Sequence, residues 1–241
     1  MSKASAQERA ERAAAALAEQ RRRERRRTVV SVVGVVLVMI AIVAGGALLG
    51  KLNHKDPDPS VSSNGSTTGT VGVAIGPADA PHTIVIYEDF ICPFCGELEK
   101  ASHEKLQELA DDGLVRVEYR PFQLLDLDYS PLALQVFGAV RSLGDDTVTK
   151  EFHDLLYADQ PSEKGPYPSQ DDIIATAVQA GADESAVRGA LDAGKDWADT
   201  ATADAAAAGV QSTPTVLLDG STFTDYRSVD DLADNLISAV S

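Results

Sequence analysis

The chain has 241 residues and a formal net charge of −16, but the charge is distributed unevenly. Residues 1–27 carry nine Lys or Arg and four Glu, whereas residues 51–241 carry twelve basic and 33 acidic side chains. The folded part must therefore be shorter than the whole chain, and basic and acidic ends on either side of an apolar segment are typical of a membrane protein rather than a nucleic-acid-binding one.

The apolar segment, residues 28–50, has no charged side chain. At about 1.5 Å per residue it can cross a hydrocarbon core of roughly 30 Å, so it predicts a single transmembrane helix. A cleaved signal peptide is the alternative, which the long basic region, the length of the apolar run and the lack of a clean A-x-A site disfavour. The arginine cluster at residues 21–27 predicts a cytoplasmic N-terminus and an exported acidic domain. Its position beside the span argues against a nucleic-acid-binding patch.

The predicted organisation has four parts. Residues 1–27 form a basic cytoplasmic tail and residues 28–50 the membrane span. Residues 51–69 are rich in Asp, Pro, Ser, Gly and Thr, which predicts a flexible linker. Residues 70–241 form the folded extracytoplasmic domain.

The folded domain opens with two predicted strands and a helix. Alternating apolar residues at 71–75 predict an edge strand, and residues 83–89 are too apolar for a half-exposed strand, which predicts a central position in the sheet. The sequence Cys92-Pro93-Phe94-Cys95 follows and opens a helix that ends at residues 111–113. Phe94 is assigned to the apolar face of this helix.

The remaining elements predict a helical insertion between two parts of one sheet. Ser130 is expected to cap the first inserted helix, Gly194 to separate the last two, and Ser228 to cap the final helix of the domain. The other predicted elements are a strand at 115–119, helices at 130–144, 148–158, 171–180, 184–193 and 195–208, a strand at 215–218, a hairpin turn at Asp219-Gly220 and a strand at 222–224. The insertion thus covers about residues 130–208.

Cys92 and Cys95 are the only cysteines in the chain. Two thiols at this spacing, at a strand-to-helix junction, can close a short disulfide, and the helix amides favour a thiolate at the first sulfur. Pro93 fits a first helical position and so places Cys92 at the cap. This pattern predicts thiol-disulfide chemistry that needs no metal or cofactor.

The cysteine pair also fits a zinc site or two inert core thiols. A zinc site would need further ligands from the four histidines, none of which is paired with another at the spacing that zinc sites use. Two inert core thiols are the simpler alternative, since buried cysteine is common. The cap position that Pro93 gives to Cys92 argues against inert thiols.

Thr213-Pro214 stands directly before the returning strand. A proline at a strand entry, after an irregular segment, is where a cis peptide bond can present backbone to a bound chain. The sequence therefore predicts a cis bond at Pro214.

Together these pieces resemble the DsbA-type thiol-disulfide oxidoreductases of the thioredoxin fold, especially the membrane-anchored or exported kind of actinobacteria. The resemblance extends over almost all of residues 70–241. The segments that carry it are Gly76-Pro-Ala-Asp-Ala-Pro, Tyr87-Glu-Asp-Phe-Ile-Cys-Pro-Phe-Cys, Glu151-Phe-His-Asp-Leu-Leu-Tyr-Ala-Asp-Gln-Pro and Gly209-Val-Gln-Ser-Thr-Pro-Thr-Val. The fold implied is α/β, thioredoxin-like, with a helical insertion, preceded by the transmembrane helix.

The resemblance also implies roles for individual residues. Cys92 would be the exposed nucleophile and Cys95 the buried resolving thiol. Pro214 would be the cis-proline beside the disulfide, holding an extended substrate together with Thr213, while Pro93 and Phe94 support the site.

One position departs from the family pattern. Where thioredoxins and many relatives place a buried acid six residues before the first cysteine, this chain has Ile86. Glu88 and Asp89 lie nearer the cysteines, and both are interpreted as ordinary surface or cap groups. The proton acceptor for Cys95 stays open.

The predicted function is a membrane-tethered, extracytoplasmic oxidoreductase that oxidises cysteine pairs of exported proteins and is itself reoxidised or reduced by a membrane redox partner. A stabilised thiolate makes a disulfide a stronger oxidant, and an exported compartment needs disulfides to be made. The alternatives are an isomerase or reductase for a dedicated client, or a redox-silent peptide-binding module.

Overall fold

This computed structural model describes residues 72–241, which form a five-stranded sheet with seven helices around it. The strands are β1 (Val73–Ile75), β2 (His82–Glu88), β3 (Val115–Pro121), β4 (Thr215–Leu218) and β5 (Ser221–Thr222). The helices are α1 (Pro93–Asp111), α2 (Tyr129–Ser142), α3 (Asp146–Ala158), α4 (Gln170–Gln179), α5 (Glu184–Gly189), α6 (Leu191–Ala207) and α7 (Val229–Ala239). The predicted tail, membrane span and linker lie outside the described residues.

Strand β2 occupies the centre of the sheet, as its apolar sequence predicted. The order is β1-β3-β2-β4-β5, with β2 parallel to β3 and every other neighbouring pair antiparallel. Ile86 lies opposite Tyr119 on one side and Val216 on the other. Its side chain is fully buried because helices cover the sheet on both faces.

Helix α1 follows β2 after a short turn and packs against α7 and α3. Its buried residues recur every three or four positions, from Cys95 through Leu98 and Ser102 to Leu109. The prediction that Phe94 belongs to this buried face is wrong, because Cys95 takes the inward position in the first turn. Phe94 is 57% exposed.

Helices α2 to α6 form the insertion between β3 and β4, and α2 packs closely along α6. The prediction that Gly194 separates two helices is wrong, since the chain breaks at Ala190 and Gly194 lies inside α6. Gly194 faces α2 so closely that an added Cβ would lie 2.2 Å from the carbonyl oxygen of Gln135. The glycine is required by the packing of two helices and does not mark a helix end.

Ser130 is not the cap of α2, which begins one residue earlier, after Asp128. Its side chain is buried, and the hydroxyl donates a hydrogen bond of 2.7 Å to Asp89. A serine beside a proline gives the same sequence signal whether the hydroxyl caps a helix or satisfies a buried acid elsewhere.

The last part of the sheet follows the prediction closely. Asp219 and Gly220 form the turn between β4 and β5, both with positive φ, and the carboxylate of Asp219 accepts a hydrogen bond from the backbone N–H of Thr83. Strand β5 is shorter than predicted and begins one residue earlier. Ser228 caps α7 by accepting a hydrogen bond from the N–H of Asp231, as expected.

Across residues 72–241, no helix combines the length and the apolar composition needed to cross a membrane.

The close contact of α2 and α6 gives a test of the fold. Gly194→Ala should lower the free energy of unfolding by about 1–3 kcal/mol, because the new methyl group overlaps the backbone of α2. Denaturant unfolding followed by the fluorescence of Trp197, the only tryptophan in the chain, measures the change.

Gly189→Ala is the matched control, since an added Cβ at Gly189 meets no atom within 4 Å. It should change the free energy of unfolding by less than about 1 kcal/mol. Equal effects of the two substitutions would contradict the packing role of Gly194.

Candidate active site

The two cysteines lie where β2 runs into α1. The N–H of Cys92 donates to the carbonyl oxygen of Asp89 at 2.9 Å and closes the turn after the strand. Cys92 has extended backbone angles and is the N-cap of α1, and Pro93 stands in the first turn, as predicted. The first sulfur is therefore held at the end of the helix where free N–H groups converge.

Both cysteines are free thiols and both are buried, with 4% of Cys92 and 1% of Cys95 exposed. The expectation that Cys92 is exposed is wrong, because the segment before β4 covers its sulfur. The Sγ atom of Cys92 lies 3.4 Å from the carbonyl oxygen of Thr213 and donates to it. The exposed part of the motif is Pro93 and Phe94.

The two thiols differ strongly in acidity. The pKa of Cys92 is lowered to about 6, first because the Cys95 thiol donates a hydrogen bond to its sulfur. Burial opposes this shift, while a side-chain hydrogen bond from Thr213 and the backbone N–H groups of Cys95 and Phe94 lower the pKa further. Burial raises the pKa of Cys95 well above its usual range, and the nearby charges of Cys92 and Glu88 add to that rise.

The peptide bond between Thr213 and Pro214 is cis, as the sequence predicted. Both residues are half-buried, and the Thr213 carbonyl is the group that contacts Cys92. The structure thus brings Cys92 and Cys95 together with Thr213 and Pro214, which stand more than 110 residues later in the chain.

Gln160 supports the junction from the insertion, a role that the sequence interpretation missed. Its Nε2 atom donates to the carbonyl oxygens of Phe90 at 3.0 Å and Cys92 at 2.9 Å. Gly96 makes room for it, since a Cβ there would lie 2.3 Å from the Gln160 side chain. The segment that carries Gln160 belongs to the family resemblance, which was the one sequence signal for this residue.

Asp89 is fully buried, so its interpretation as a surface or cap group is wrong. One carboxylate oxygen accepts from the N–H of Ile91 and the hydroxyl of Ser130, and the other accepts from the N–H groups of Leu124 and Leu125. Four donors satisfy a buried charge that would otherwise be costly. The same interactions fix the turn that leads to Cys92.

Glu88 is buried as well, with 1% of its surface exposed, and the surface interpretation is wrong for it too. Its Oε1 atom lies 2.5 Å from Nε2 of His153, and Nδ1 of that histidine lies 2.9 Å from Asp154. Lys150 completes the row with its ammonium 2.5 Å from the same oxygen of Asp154. A chain of alternating charges therefore runs from beside Cys95 toward the surface.

His153 carries a positive charge in this row at neutral pH. Burial lowers the pKa of its imidazole, but the charge of Glu88 and hydrogen bonds with Asp154 and Glu88 outweigh burial and raise the pKa to about 9. The second oxygen of Glu88, Oε2, is buried without a hydrogen-bond partner among the described residues. Many relatives place a buried acid at the position of Ile86. Glu88 is a buried acid whose charge acts on Cys95 in this chain.

The cysteines do not belong to any cluster with metal-ligand geometry in residues 72–241, where the one such group is Glu99, His103 and Asp154. What the thiol pair can do is exchange disulfides. Cys92 attacks as a thiolate in the reduced form and is the sulfur that a client attacks in the disulfide form, while reduced Cys95 keeps its proton until it closes the disulfide.

Comparison with known families supports this chemistry. A family model described as thioredoxin matches residues 68–237. Among solved structures, the oxidised DsbA of Mycobacterium tuberculosis is 26% identical with a TM-score of 0.59, over 70% of this chain and 92% of that one. The reduced disulfide bond oxidoreductase DsbG of the same organism is 25% identical with a TM-score of 0.59, over 70% and 86%. The MdbA thiol-disulfide oxidoreductase of Corynebacterium diphtheriae, 20% identical with a TM-score of 0.55 over 74% and 99%, shares the fold.

The curated relatives that match are much longer proteins. The Na(+)/H(+) antiporter NhaA 1 of Salinispora arenicola is 39% identical over 85 residues, which are 35% of this chain and 12% of the antiporter. NhaA 3 of Salinispora tropica matches over the same length at 38% identity. This chain thus spans only a small part of the antiporters, and ion transport is a property of those longer proteins.

The unequal thiols predict a two-step titration of the reduced protein. Thiolate absorbance at 240 nm should rise with a midpoint near pH 6 for Cys92, while Cys95 stays protonated far above that pH. Cys95→Ala should move the Cys92 midpoint upward, because it removes the hydrogen bond with the largest effect.

Cys95→Ser is the control, since its hydroxyl keeps a donor beside the first sulfur and should retain part of the lowering. If Cys95→Ala leaves the midpoint near pH 6, the helix N-terminus alone sets the acidity of Cys92 and the role given to Cys95 is wrong.

Proposed function

We propose, from the premise that the chain belongs to the thioredoxin family and to its DsbA-like thiol-disulfide oxidoreductases, that it oxidises cysteine pairs of exported proteins. The observation that carries the proposal is the unequal acidity of Cys92 and Cys95. A client thiolate attacks Cys92 in the disulfide form, and Cys95 leaves and takes up a proton. The second client thiolate then attacks the mixed disulfide and releases Cys92 as a thiolate, so the client gains one disulfide and the enzyme loses one.

The oxidising direction follows from the lowered pKa of Cys92. Because its folded pKa of about 6 lies below that of an unfolded cysteine, the thiolate stabilises the folded reduced protein. This stabilisation is complete above the unfolded pKa, at roughly pH 8.5 and higher, and is lost as the pH falls through 6. Stabilising the reduced form favours transfer of the disulfide to a client.

The surface around Cys92 suits an unfolded client. Phe94 offers an exposed aromatic ring beside the sulfur, and apolar contact of that kind is tolerant of client sequence. A cavity of about 240 Å³ lies beside the segment that leads to Pro214, lined by Gly209, Ser212 and Thr215 among others. Thr213 and Pro214 would hold an extended client against this segment while its cysteine reaches Cys92.

We also propose that residues 28–50 anchor the protein in the membrane, with residues 1–27 in the cytoplasm and the catalytic domain outside. The charge-free length of the span and the arginine cluster before it support this topology. Residues 51–69 would then let the domain meet exported clients and a membrane redox partner that restores its disulfide.

Equilibration of the purified protein with glutathione tests the direction of catalysis. The Cys92-Cys95 couple should have a reduction potential well above the roughly −270 mV of thioredoxin, and the oxidised protein should form the disulfide of a reduced two-cysteine client. In the glutathione buffer, Cys95→Ser should stop at a mixed disulfide between Cys92 and glutathione, formed from oxidised glutathione, and Cys92→Ser should be inactive. A thioredoxin-like potential would favour a reductase, and no exchange at all would favour a redox-silent binding module.

Protease treatment of intact spheroplasts tests the topology. The domain should be digested from outside while the N-terminal tail is spared, because the arginine cluster holds the tail in the cytoplasm. A protected domain, or a soluble mature form without residues 28–50, would refute the anchor.

A further inference from the structure

A cavity of about 640 Å³ opens between α1 and α3. Its wall includes Glu99 and His103 from α1 and Asp154 from α3. The cavity extends to Pro93 and Gln160, so it borders the helix turn that carries the cysteines without including either sulfur. Nothing in the disulfide chemistry uses these three side chains directly.

The three side chains converge on one point. Glu99 and His103 are four residues apart and therefore project from the same face of α1. One ligand atom from each of the three residues lies within 4.8 Å of the others, and Nδ1 of His103 is 3.7 Å from Oδ1 of Asp154. Three ligands at about 2.0–2.2 Å from a zinc ion stand roughly 3–4 Å apart, so small side-chain rotations would complete the set.

Glu99 is the feature that points to a missing ligand. Only 5% of its surface is exposed, and its Oε1 atom is buried without a hydrogen-bond partner among the described residues. A buried carboxyl group without a partner is costly. Burial, with the charge of Glu88 next in size, raises the pKa of Glu99 to about 8. A cation held between Glu99, His103 and Asp154 would offset this cost by binding the carboxyl group.

The other two residues each offer an atom that can bind a cation. Asp154 lines the cavity, and its contacts with Lys150, His153 and His103 all use Oδ1, so none of them occupies Oδ2. Burial lowers the pKa of His103, which favours the neutral imidazole that metals require. Lys150 competes with a metal for Asp154, and this competition should keep the affinity moderate.

We propose that Glu99, His103 and Asp154 form a binding site for a zinc ion, separate from the cysteine pair. One imidazole nitrogen, two carboxylate oxygens and an open fourth position toward the cavity form a donor set that suits zinc. The bound ion would join α1, the helix that Cys92 caps, to α3 of the insertion. Its occupancy would stabilise the helix that positions both thiols.

The test must first remove the thiols, because a cysteine pair at this spacing binds zinc itself. The untagged full-length chain with Cys92→Ser and Cys95→Ser is titrated with zinc chloride by calorimetry, and its thermal unfolding is recorded with and without zinc. We expect one zinc ion per chain with micromolar affinity, and a higher unfolding midpoint when zinc is present.

In the same background, Glu99→Gln and His103→Gln should each weaken zinc binding at least tenfold and abolish the rise in the unfolding midpoint. Glu97→Gln is the matched control, since it makes the same chemical change on the same helix and cavity wall but lies outside the cluster. It should change affinity less than threefold. His103 is partly exposed, so its variant remains informative if Glu99→Gln does not fold.

Zinc binding that is absent below millimolar concentration would overturn the site. So would binding that all of these substitutions leave unchanged, or that Glu97→Gln weakens as much as Glu99→Gln, since a diffuse acidic surface would explain either result.

Discussion

The buried carboxylate of Asp89 is the interaction on which the active-site region depends. Asp89 lies directly after β2. Its four hydrogen bonds join the turn before Cys92 to the loop after β3 and to the start of α2. An ionised group with no exposure is stable only when its oxygens are fully satisfied, so the loop at Leu124 and Leu125 must stay in place for the turn to keep its shape. The position of the first sulfur is thus fixed by a charge, three residues away, that takes no part in the reaction.

The unequal thiols arise from the same arrangement. Cys92 stands at the cap, where it receives hydrogen bonds from Cys95 and from backbone N–H groups, and Cys95 lies one turn further into the core. Burial raises the pKa of Cys95, and the charge of Glu88, which His153 balances, adds to that rise. Two identical side chains acquire opposite behaviour because Cys92 accepts a hydrogen bond from Cys95, whereas Cys95 is buried beside Cys92 and an acid.

The sequence predicted the features that local patterns encode and missed those that depend on distant partners. The central place of β2, the cap at Cys92, the cis bond at Pro214 and the Asp219-Gly220 turn each follow from a short pattern. The prediction is wrong for Glu88 and Asp89 because acidic residues near the end of a strand are usually at the surface, and wrong for Ser130 because a serine before a proline usually caps a helix. Nothing in the local sequence indicates that donors from residues 124–130 and a histidine from α3 come to meet them. The predicted helix break at Gly194 is wrong for a similar reason, since the glycine is required by contact with the backbone of Gln135, 59 residues earlier.

The helical insertion is part of the catalytic unit rather than an addition to it. Gln160 holds the carbonyl of Cys92, and His153 neutralises the acid that acts on Cys95, so the insertion contacts each cysteine's surroundings from one side. Gly96 is small because Gln160 must reach past α1 to do so. A strand, a helix and a cysteine pair would be enough to form a disulfide, but in this fold residues from α3 and the segment after it hold the Cys92 carbonyl and the acid that acts on Cys95. Movement of α3 against α1 would therefore change the thiols without any change at the cysteines themselves.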